Sequence, residues 1–486
     1  MARGSAGAPG RRSRSPGGPS RDPSAGMGSS MTTRPSMREI ETRLLARWPE
    51  TQLDPSLDRI VNVMRMLGDP QRRFRSVHIT GTNGKTSTAR MIEALLAASG
   101  EHTGRLTSPH LTSIRERIGI AEEVIAVPAF RSAYSAVGKQ AELVDATMPH
   151  PLSFFEMTVA MAYRAFADAA VDVAVVEVGM GGRWDATNVI DAEVAVVLPV
   201  DLDHTDYLGP TAAAIAGEKA GIIKPGSVAV SARQPAEVAE VLRARAREVA
   251  ARLVVEGEDF CLLRRTVVEG GQVVSVRGLH STYSNVFLAL HGRHQAENAA
   301  SAVVAAEAAL GRQLDFGVVQ AVLGRVTSPG RFDVRPGDPP VILDAAHNPH
   351  GARALAESLT ELAPRRTFAV IAAMADKNVE DILRELEPVV DVAVCTRNSS
   401  PRSLPPTRLA AIARQVFGAQ RVHIAFNVPT ALDKARALAA WLPAQPSDAL
   451  VLVTGSVVTV GDAARVLPAP GRTGLAEPPV GKPVPG

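Results

Sequence analysis

Cysteine is nearly missing from this sequence of 486 residues: Cys261 and Cys395 stand alone, far apart and outside any close-spaced metal motif. That excludes a disulfide scaffold, points to a reducing cytoplasm, and leaves both thiols to be read as buried hydrophobes. Aromatic residues are scarce at 4% within an ordinary hydrophobic fraction of 45%, so valine, alanine and leucine must fill the interior. No apolar run reaches the roughly 18 to 20 uninterrupted residues needed to span a bilayer as a helix, so a soluble protein is expected.

The pI of about 9.0 invites a nucleic-acid reading, but the excess charge is local. Arg3, Arg11, Arg12, Arg14, Arg21 and Arg34 face only Asp22 in residues 1–36, so the chain beyond is slightly acidic and no nucleic-acid partner is expected. Residues 1–36 are rich in Gly, Ser, Pro and Arg and read as a disordered tail without the apolar stretch of a secretory signal. Met27, Met31 and Met37 leave the true start open. Residues 468–486 read as a second Pro/Gly-rich disordered stretch.

Between these ends, short β-rich runs alternate with amphipathic helices, the pattern of an α/β protein with a mostly parallel sheet. Arg75 to Thr80 reads as a strand and Thr86 to Ser99 as its following helix. Val171 to Val178 and Val194 to Val200 read as strands buried on both faces. An antiparallel excursion is expected between Asp259 and Leu290. A second alternation starts at Val341, with strands at 341–343, 367–373, 392–396, 422–424 and 450–454. The expected units are 37–327, a P-loop ATPase domain, and 328–467, a smaller Rossmann-like domain, joined at Thr327 to Arg331.

The run V-H-I-T-G-T-N-G-K-T-S puts a glycine-flanked turn between a strand and a helix. Thr82, Asn83 and Gly84 can bring backbone amides to phosphate oxygens at a helix N-terminus, Lys85 can reach the β/γ phosphates, and Thr86 a magnesium ion. The loop departs from the usual spacing, because Ile79 stands where the first glycine belongs. Glu177 ends a buried strand beside a glycine-rich turn, where a hard oxygen ligand suits magnesium-bound phosphate. His204 stands between Asp203 and Asp206 just after another strand.

The short T-G-T-N-G-K form resembles the Mur family of ATP-dependent amide ligases, and in particular its folylpolyglutamate synthase/dihydrofolate synthase members. The resemblance runs from about Asp54 to Gly461. It recurs as T-S-P-H-L (107–111), S-F-F-E (153–156), E-V-G-M-G-G-R-W-D-A-T-N (177–188), L-D-H-T-D-Y-L-G (202–209) and E-K-A-G-I (218–222), then as G-R-H-Q-A-E-N (292–298), S-P-G-R-F (328–332), D-A-A-H-N-P (344–349) and T-G-S (454–456).

The resemblance implies a cytoplasmic, monomeric enzyme that uses ATP and two magnesium ions to join L-glutamate to dihydropteroate and to reduced folates through an acyl phosphate. It makes Ser108, Glu177 and His204 the metal ligands and Lys219 a carbamylated lysine that orients the second ion. Adenine and ribose contacts fall on Asn298, Arg331 and Asp344, and Arg331 offsets charge on the departing phosphoryl group. His347 and Ser456 place the glutamate, although Ser456 also reads as a helix cap. The pterin side falls on Asp54, Pro55, Ser56, on Ser153, Phe154, Phe155 and Glu156, and on Trp184, Asp185 and Ala186, with Arg59 helping to hold that side closed. Either phenylalanine could instead be helix core.

The rival readings are a single-activity folylpolyglutamate synthase, a cell-wall Mur ligase, a P-loop kinase or switch protein, and a non-catalytic nucleotide binder. About 45 residues before Gly81 are too few for the extra domain of the cell-wall enzymes. An N-K-x-D tag for a guanine switch is absent. Lys85, Glu177 and His204 all stand, against a non-catalytic relative.

Overall fold

The computed structural model describes residues 35–49, 55–362, 366–441 and 449–468. Asp54, the basic stretch through residue 34 and the Pro/Gly-rich stretch from residue 469 lie outside the described residues.

The first αβ alternation forms an eight-stranded sheet. In chain order its strands are β1 (Arg75–Thr80), β2 (Thr103–Leu106), β3 (Ile118–Ile120), β4 (Glu123–Val124), β5 (Val173–Glu177), β6 (Val194–Val197), β7 (Val228–Ser231) and β8 (Arg252–Val255). Their spatial order is β4-β3-β2-β5-β1-β6-β7-β8, parallel from β2 to β8. The antiparallel edge of β3 and β4 was not legible in advance.

β-branched valines dominate β5 and β6, and every residue of both strands is buried, as expected where helices cover both faces. The period of two decides which face each side chain joins. Val77 and Ile79 of β1 enter a core with the helices Lys85–Ala98 and Arg293–Leu310. Ala174 and Val176 of β5 point the other way, into a core with the helix Phe154–Asp168. Alanine and valine do most of this filling, as the aromatic-poor composition requires.

The excursion after residue 259 is a sheet of its own, not an extension of the large one. β9 (Cys261–Val268), β10 (Gly271–Arg277) and β11 (Thr282–Leu288) form an antiparallel meander. Cys261 there is only half-buried, which corrects the expectation that both thiols are core; Cys395 is buried.

The second alternation forms a six-stranded sheet: β12 (Asp333–Arg335), β13 (Val341–Leu343), β14 (Arg366–Ile371), β15 (Val392–Cys395), β16 (Val422–Ile424) and β17 (Ala449–Thr454), in the order β12-β13-β17-β14-β15-β16. All neighbours from β13 to β16 are parallel, and β12 alone runs against its partner.

The meander ties the two large sheets together. Arg265 of β9 forks onto both carboxylate oxygens of Glu361, just past the helix Pro349–Thr360, and its Nε reaches Gln272. Gln272 in turn donates to the carbonyls of Leu290 (2.7 Å) and Gly292 (3.0 Å) at the entry to the helix Arg293–Leu310. A fork-to-fork pair that is mostly shielded from water should couple more strongly than an exposed one. A double-mutant cycle of Arg265→Ala and Glu361→Ala, read by denaturant unfolding, is expected to give a coupling of about 1 kcal/mol; additive effects would show that the pair contributes nothing.

Candidate active site

Four adjacent strands, β2-β5-β1-β6, end at the same carboxyl edge, so the loops after them meet. The loop after β1 carries Gly81 to Gly84 and feeds the helix that starts at Lys85. Gly84 has φ +86°, and a Cβ there would lie 2.7 Å from Asn298 Oδ1, so only glycine lets the turn rest on that asparagine. Thr82 anchors the loop to the segment after β6: its amide donates to the Pro199 carbonyl at 3.0 Å and its hydroxyl to that of Asp201 at 3.0 Å.

Glu177, at the end of β5, is buried and is met by donors from two other loops. Thr86 Oγ1 lies 3.0 Å from each of its oxygens, and the Ser108 amide, after β2, donates to Oε2 at 3.1 Å. Burial raises the Glu177 pKa, while Lys85 opposes that shift. Lys85 folds back to donate to the carbonyls of Gly81 (2.9 Å) and Thr82 (3.1 Å), and burial lowers its own pKa.

Lys219 is not a surface residue. It ends the helix Ala212–Lys219, is 4% exposed, and donates to the same Gly81 carbonyl at 3.1 Å. Its approach depends on Gly182, where a Cβ would stand 2.7 Å from the Glu218 carbonyl. Burial, reinforced by Lys85, pushes the Lys219 pKa down to about 7. That leaves a large neutral fraction, the form that reacts with carbon dioxide. His204 caps the short helix Thr205–Leu208 in a left-handed conformation, φ +51°, with its side chain partly open to solvent. Its pKa is lowered by partial desolvation and by Lys377, Lys85 and Lys219, against the pull of Asp203.

Across the seam, the loops after β13 and β14 face this edge. Asp203 Oδ1 accepts from Lys377 Nζ at 2.9 Å and Oδ2 from Asn348 Nδ2 at 2.9 Å, with His347 Nε2 at 3.9 Å. Burial would raise the Asp203 pKa, but His204, Lys377 and His347 outweigh it and hold the carboxyl well below the usual range. Asn83 of the phosphate loop also crosses the seam, to Asn348 Oδ1 (3.2 Å) and His350 Nδ1 (2.8 Å). Asp344 clamps its own loop by accepting from the amides of Phe332 and Ala346, each at 2.8 Å. Arg331 lies within electrostatic reach of Lys85, Glu177, Asp344 and His347. Burial pushes the His347 pKa down to about 4, so its ring is neutral at physiological pH.

The residues assigned to the pterin side are not gathered as simply. Phe154 is core, with the Arg117 guanidinium 4.7 Å from its ring centroid. Phe155 borders the exposed Gly179, where a Cβ would meet its Cζ at 2.7 Å and Asp185 Oδ2 at 3.1 Å. Asp185 and Ala186 are buried beside it, and Trp184 is 51% exposed. Ser153 and Glu156 form a capping box, and Glu156 also pairs with buried Arg59 at 3.1 Å. Pro55 is exposed, and the Ser56 hydroxyl donates to Asp58 at 2.9 Å. Ser456 caps the helix Val457–Ala464 and accepts from Asn398 Nδ2 at 3.1 Å.

Three partners escaped sequence reasoning: His350, Lys377 and Asn398. Their signal was positional: each follows the carboxyl end of a parallel strand in the second sheet. No group of three His, Cys, Asp or Glu side chains converges on a ready-made metal cage among the described residues. Magnesium held mainly by phosphates and water needs only one or two protein oxygens, and the abutting Thr86 hydroxyl and Glu177 carboxylate fit that demand.

Two family models match the chain: the Mur ligase middle domain over residues 79–306 and the Mur ligase glutamate ligase domain over 330–457. A dihydrofolate synthase/folylpolyglutamate synthase of Mycobacterium tuberculosis is 48% identical over 457 residues, covering 89% of this chain and 94% of that protein. The solved structure of Mycobacterium tuberculosis folylpolyglutamate synthase complexed with ADP superposes with a TM-score of 0.85 at 47% identity, covering 88% of this chain and 97% of that one. The structure of Escherichia coli FolC in complex with DHPP and ADP gives 0.77 at 30% identity, covering 88% and 97%.

Burying the Lys219 amine has a consequence for stability. Its pKa falls from 10.5 to about 7, so between those values the unfolded chain holds a proton that the folded chain lacks, and stability rises with pH. Lys219→Met is therefore expected to raise Tm at neutral pH in bicarbonate-free buffer, with the gain shrinking toward pH 10, while activity is lost. An unchanged or lowered Tm at neutral pH would contradict the buried, strained amine.

Proposed function

The chain belongs to the Mur ligase family of ATP-dependent ligases, in its dihydrofolate synthase/folylpolyglutamate synthase branch, and from that premise we propose that it joins L-glutamate to dihydropteroate and to the glutamyl tail of reduced folates. The observation that carries this reading is the meeting of Asp203 and the phosphate-loop Asn83, on the edge that also holds Glu177, with Lys377, Asn348 and His347 across one seam. Such a seam lets ATP, an acid and an amine converge where water is scarce. We take residues 37–327 and 328–467 as the two catalytic units, and the enzyme as a cytoplasmic monomer.

In the first step a substrate carboxylate oxygen attacks the γ-phosphorus of ATP in line. An O–P bond forms, the bond to ADP breaks, and an acyl phosphate results. Lys85 leaves the carbonyls of Gly81 and Thr82 for the β/γ phosphates, and Thr82, Asn83 and Gly84 cradle them. Asn298, Arg331 and Asp344 hold the nucleoside, and Arg331 also offsets charge that moves with the phosphoryl group. Thr86, Glu177, Ser108 and His204 would hold magnesium, with carbamylated Lys219 orienting a second ion; bound there, the metal neutralises phosphate charge. In the second step the glutamate amine, placed by His347 and Ser456, attacks the acyl carbon, the tetrahedral adduct expels phosphate, and an amine proton is lost. Positioning and charge neutralisation supply most of the acceleration.

The pterin lies against Phe155, Trp184, Asp185 and Ala186, with Pro55, Ser56, Ser153, Phe154 and Glu156 shaping the side that Arg59 closes. ADP release by the purified chain tests both activities. Turnover is expected with dihydropteroate plus L-glutamate, and again with a reduced folate plus L-glutamate. Turnover on the reduced folate alone would remove the synthase activity, and none on either would overturn the reading.

A further inference from the structure

We propose that His78 and Thr187 form a buried relay that fixes the Asp185 carboxylate for the pterin, making His78 a positioning residue that never touches substrate. The inference rests on the placement of Asp185 at the pterin pocket and adds what holds it there.

β1 sends Val77 and Ile79 into one core, so His78 between them points to the opposite face, toward Tyr163 and the turn at residues 186–189. There His78 Nε2 lies 2.8 Å from Thr187 Oγ1, and both residues are fully buried. The Thr187 hydroxyl donates to Asp185 Oδ1, and the Thr187 amide donates to the same oxygen at 3.0 Å. Tyr163 Oη donates to the Thr187 carbonyl at 2.8 Å, so the threonine is pinned from its other side.

The direction of the relay follows from counting hydrogens. A hydroxyl has one proton, and Thr187 commits it to the carboxylate; toward His78 it can only accept. The imidazole must then carry its proton on Nε2. Burial pushes the His78 pKa down to about 3, so the ring has that one proton to give. Its Nδ1 has no partner among the described residues. A valine, as at position 77, would pack this face without an orphaned ring nitrogen, so what distinguishes histidine here is the single bond it donates.

That bond ends at a substrate-facing group. Asp185 Oδ2 accepts from the Met180 amide at 2.9 Å and lies beside exposed Gly179, in the niche bordered by Phe155. With donors from residues 179, 180 and 187 fixing its plane, the carboxylate presents one orientation to an incoming heterocycle. Removing the His78 donor takes away the bond that fixes the Thr187 oxygen and polarises its hydroxyl, and so weakens the charge-assisted bond that the hydroxyl donates to the carboxylate.

Titration calorimetry of dihydropteroate into the full chain with ADP present, paired with steady-state kinetics, tests this. Thr187→Val and His78→Met, which lack the hydroxyl and the donor, are expected to raise the dihydropteroate Kd and KM about ten-fold, the scale of one charge-assisted hydrogen bond. In both variants kcat and ADP affinity should stay near wild type. Thr187→Ser and His78→Gln, which restore hydroxyl and donor, should recover most of the affinity. Failure of all four variants in both binding and kcat alike, with rescue by neither conservative change, would reduce the relay to a packing role and overturn the proposal. Asp185→Asn separates the layers. If it weakens dihydropteroate while Thr187→Val and His78→Met bind as wild type, the relay alone is wrong. If Asp185→Asn binds as wild type, the pterin placement fails and the relay has nothing to position.

Discussion

A buried carboxylate that cannot be left alone organises this protein. Glu177 ends a central strand with every neighbour on the sheet buried, so its charge must be met by donors brought to it. Thr86 comes from the phosphate-loop helix, Ser108 from the loop after β2, and Lys85 supplies the opposing charge nearby. Lys85 and Thr86 begin one helix and Ser108 follows β2; these two segments lie 91 and 69 residues before Glu177 and reach it because β1 and β2 flank β5. The sheet order therefore creates the site before any ligand arrives, and the helix N-terminus, amines and hard oxygens left there suit a magnesium-bound triphosphate.

The second sheet completes what the first begins. Asp203 sits at the seam as an anion shared by Lys377 and Asn348, and Asn83 carries the same contact into the phosphate loop itself. Each bond crosses between loops at the carboxyl ends of two different parallel sheets. Movement of one sheet relative to the other must therefore make or break these contacts, and closure of such a seam is one way to keep water from an acyl phosphate. The Arg265–Glu361 pair holds the seam from outside that region.

Local signals were the legible ones. β1, β13 and β16 fall where their apolar runs place them, and the strand–loop–helix at Gly81 to Thr86 stands as read. The antiparallel edge was illegible because a glycine interrupts β3 and both residues of β4 are exposed, so neither shows an apolar run. Phe154 and Phe155 are neighbours with equal stacking chemistry, and only the helix phase separates the core residue from the one beside Gly179. Lys219 was singled out by resemblance alone, since nothing in its own helix marks it, and its burial shows only once the turn at Gly182 is seen packed against that helix. Lys377 and Asp203 are 174 positions apart, and no local pattern in the sequence announces that pairing.

Phosphoryl transfer to a carboxylate, not to water, separates a ligase from the many hydrolases that share a phosphate loop. Dihydropteroate labelled with heavy oxygen in its carboxylate, turned over with ATP and L-glutamate, tests it most directly. An acyl phosphate requires one labelled oxygen to appear in the inorganic phosphate released with each amide formed. Phosphate carrying oxygen from solvent instead would mean that the γ-phosphoryl group goes to water, and the central claim would be wrong.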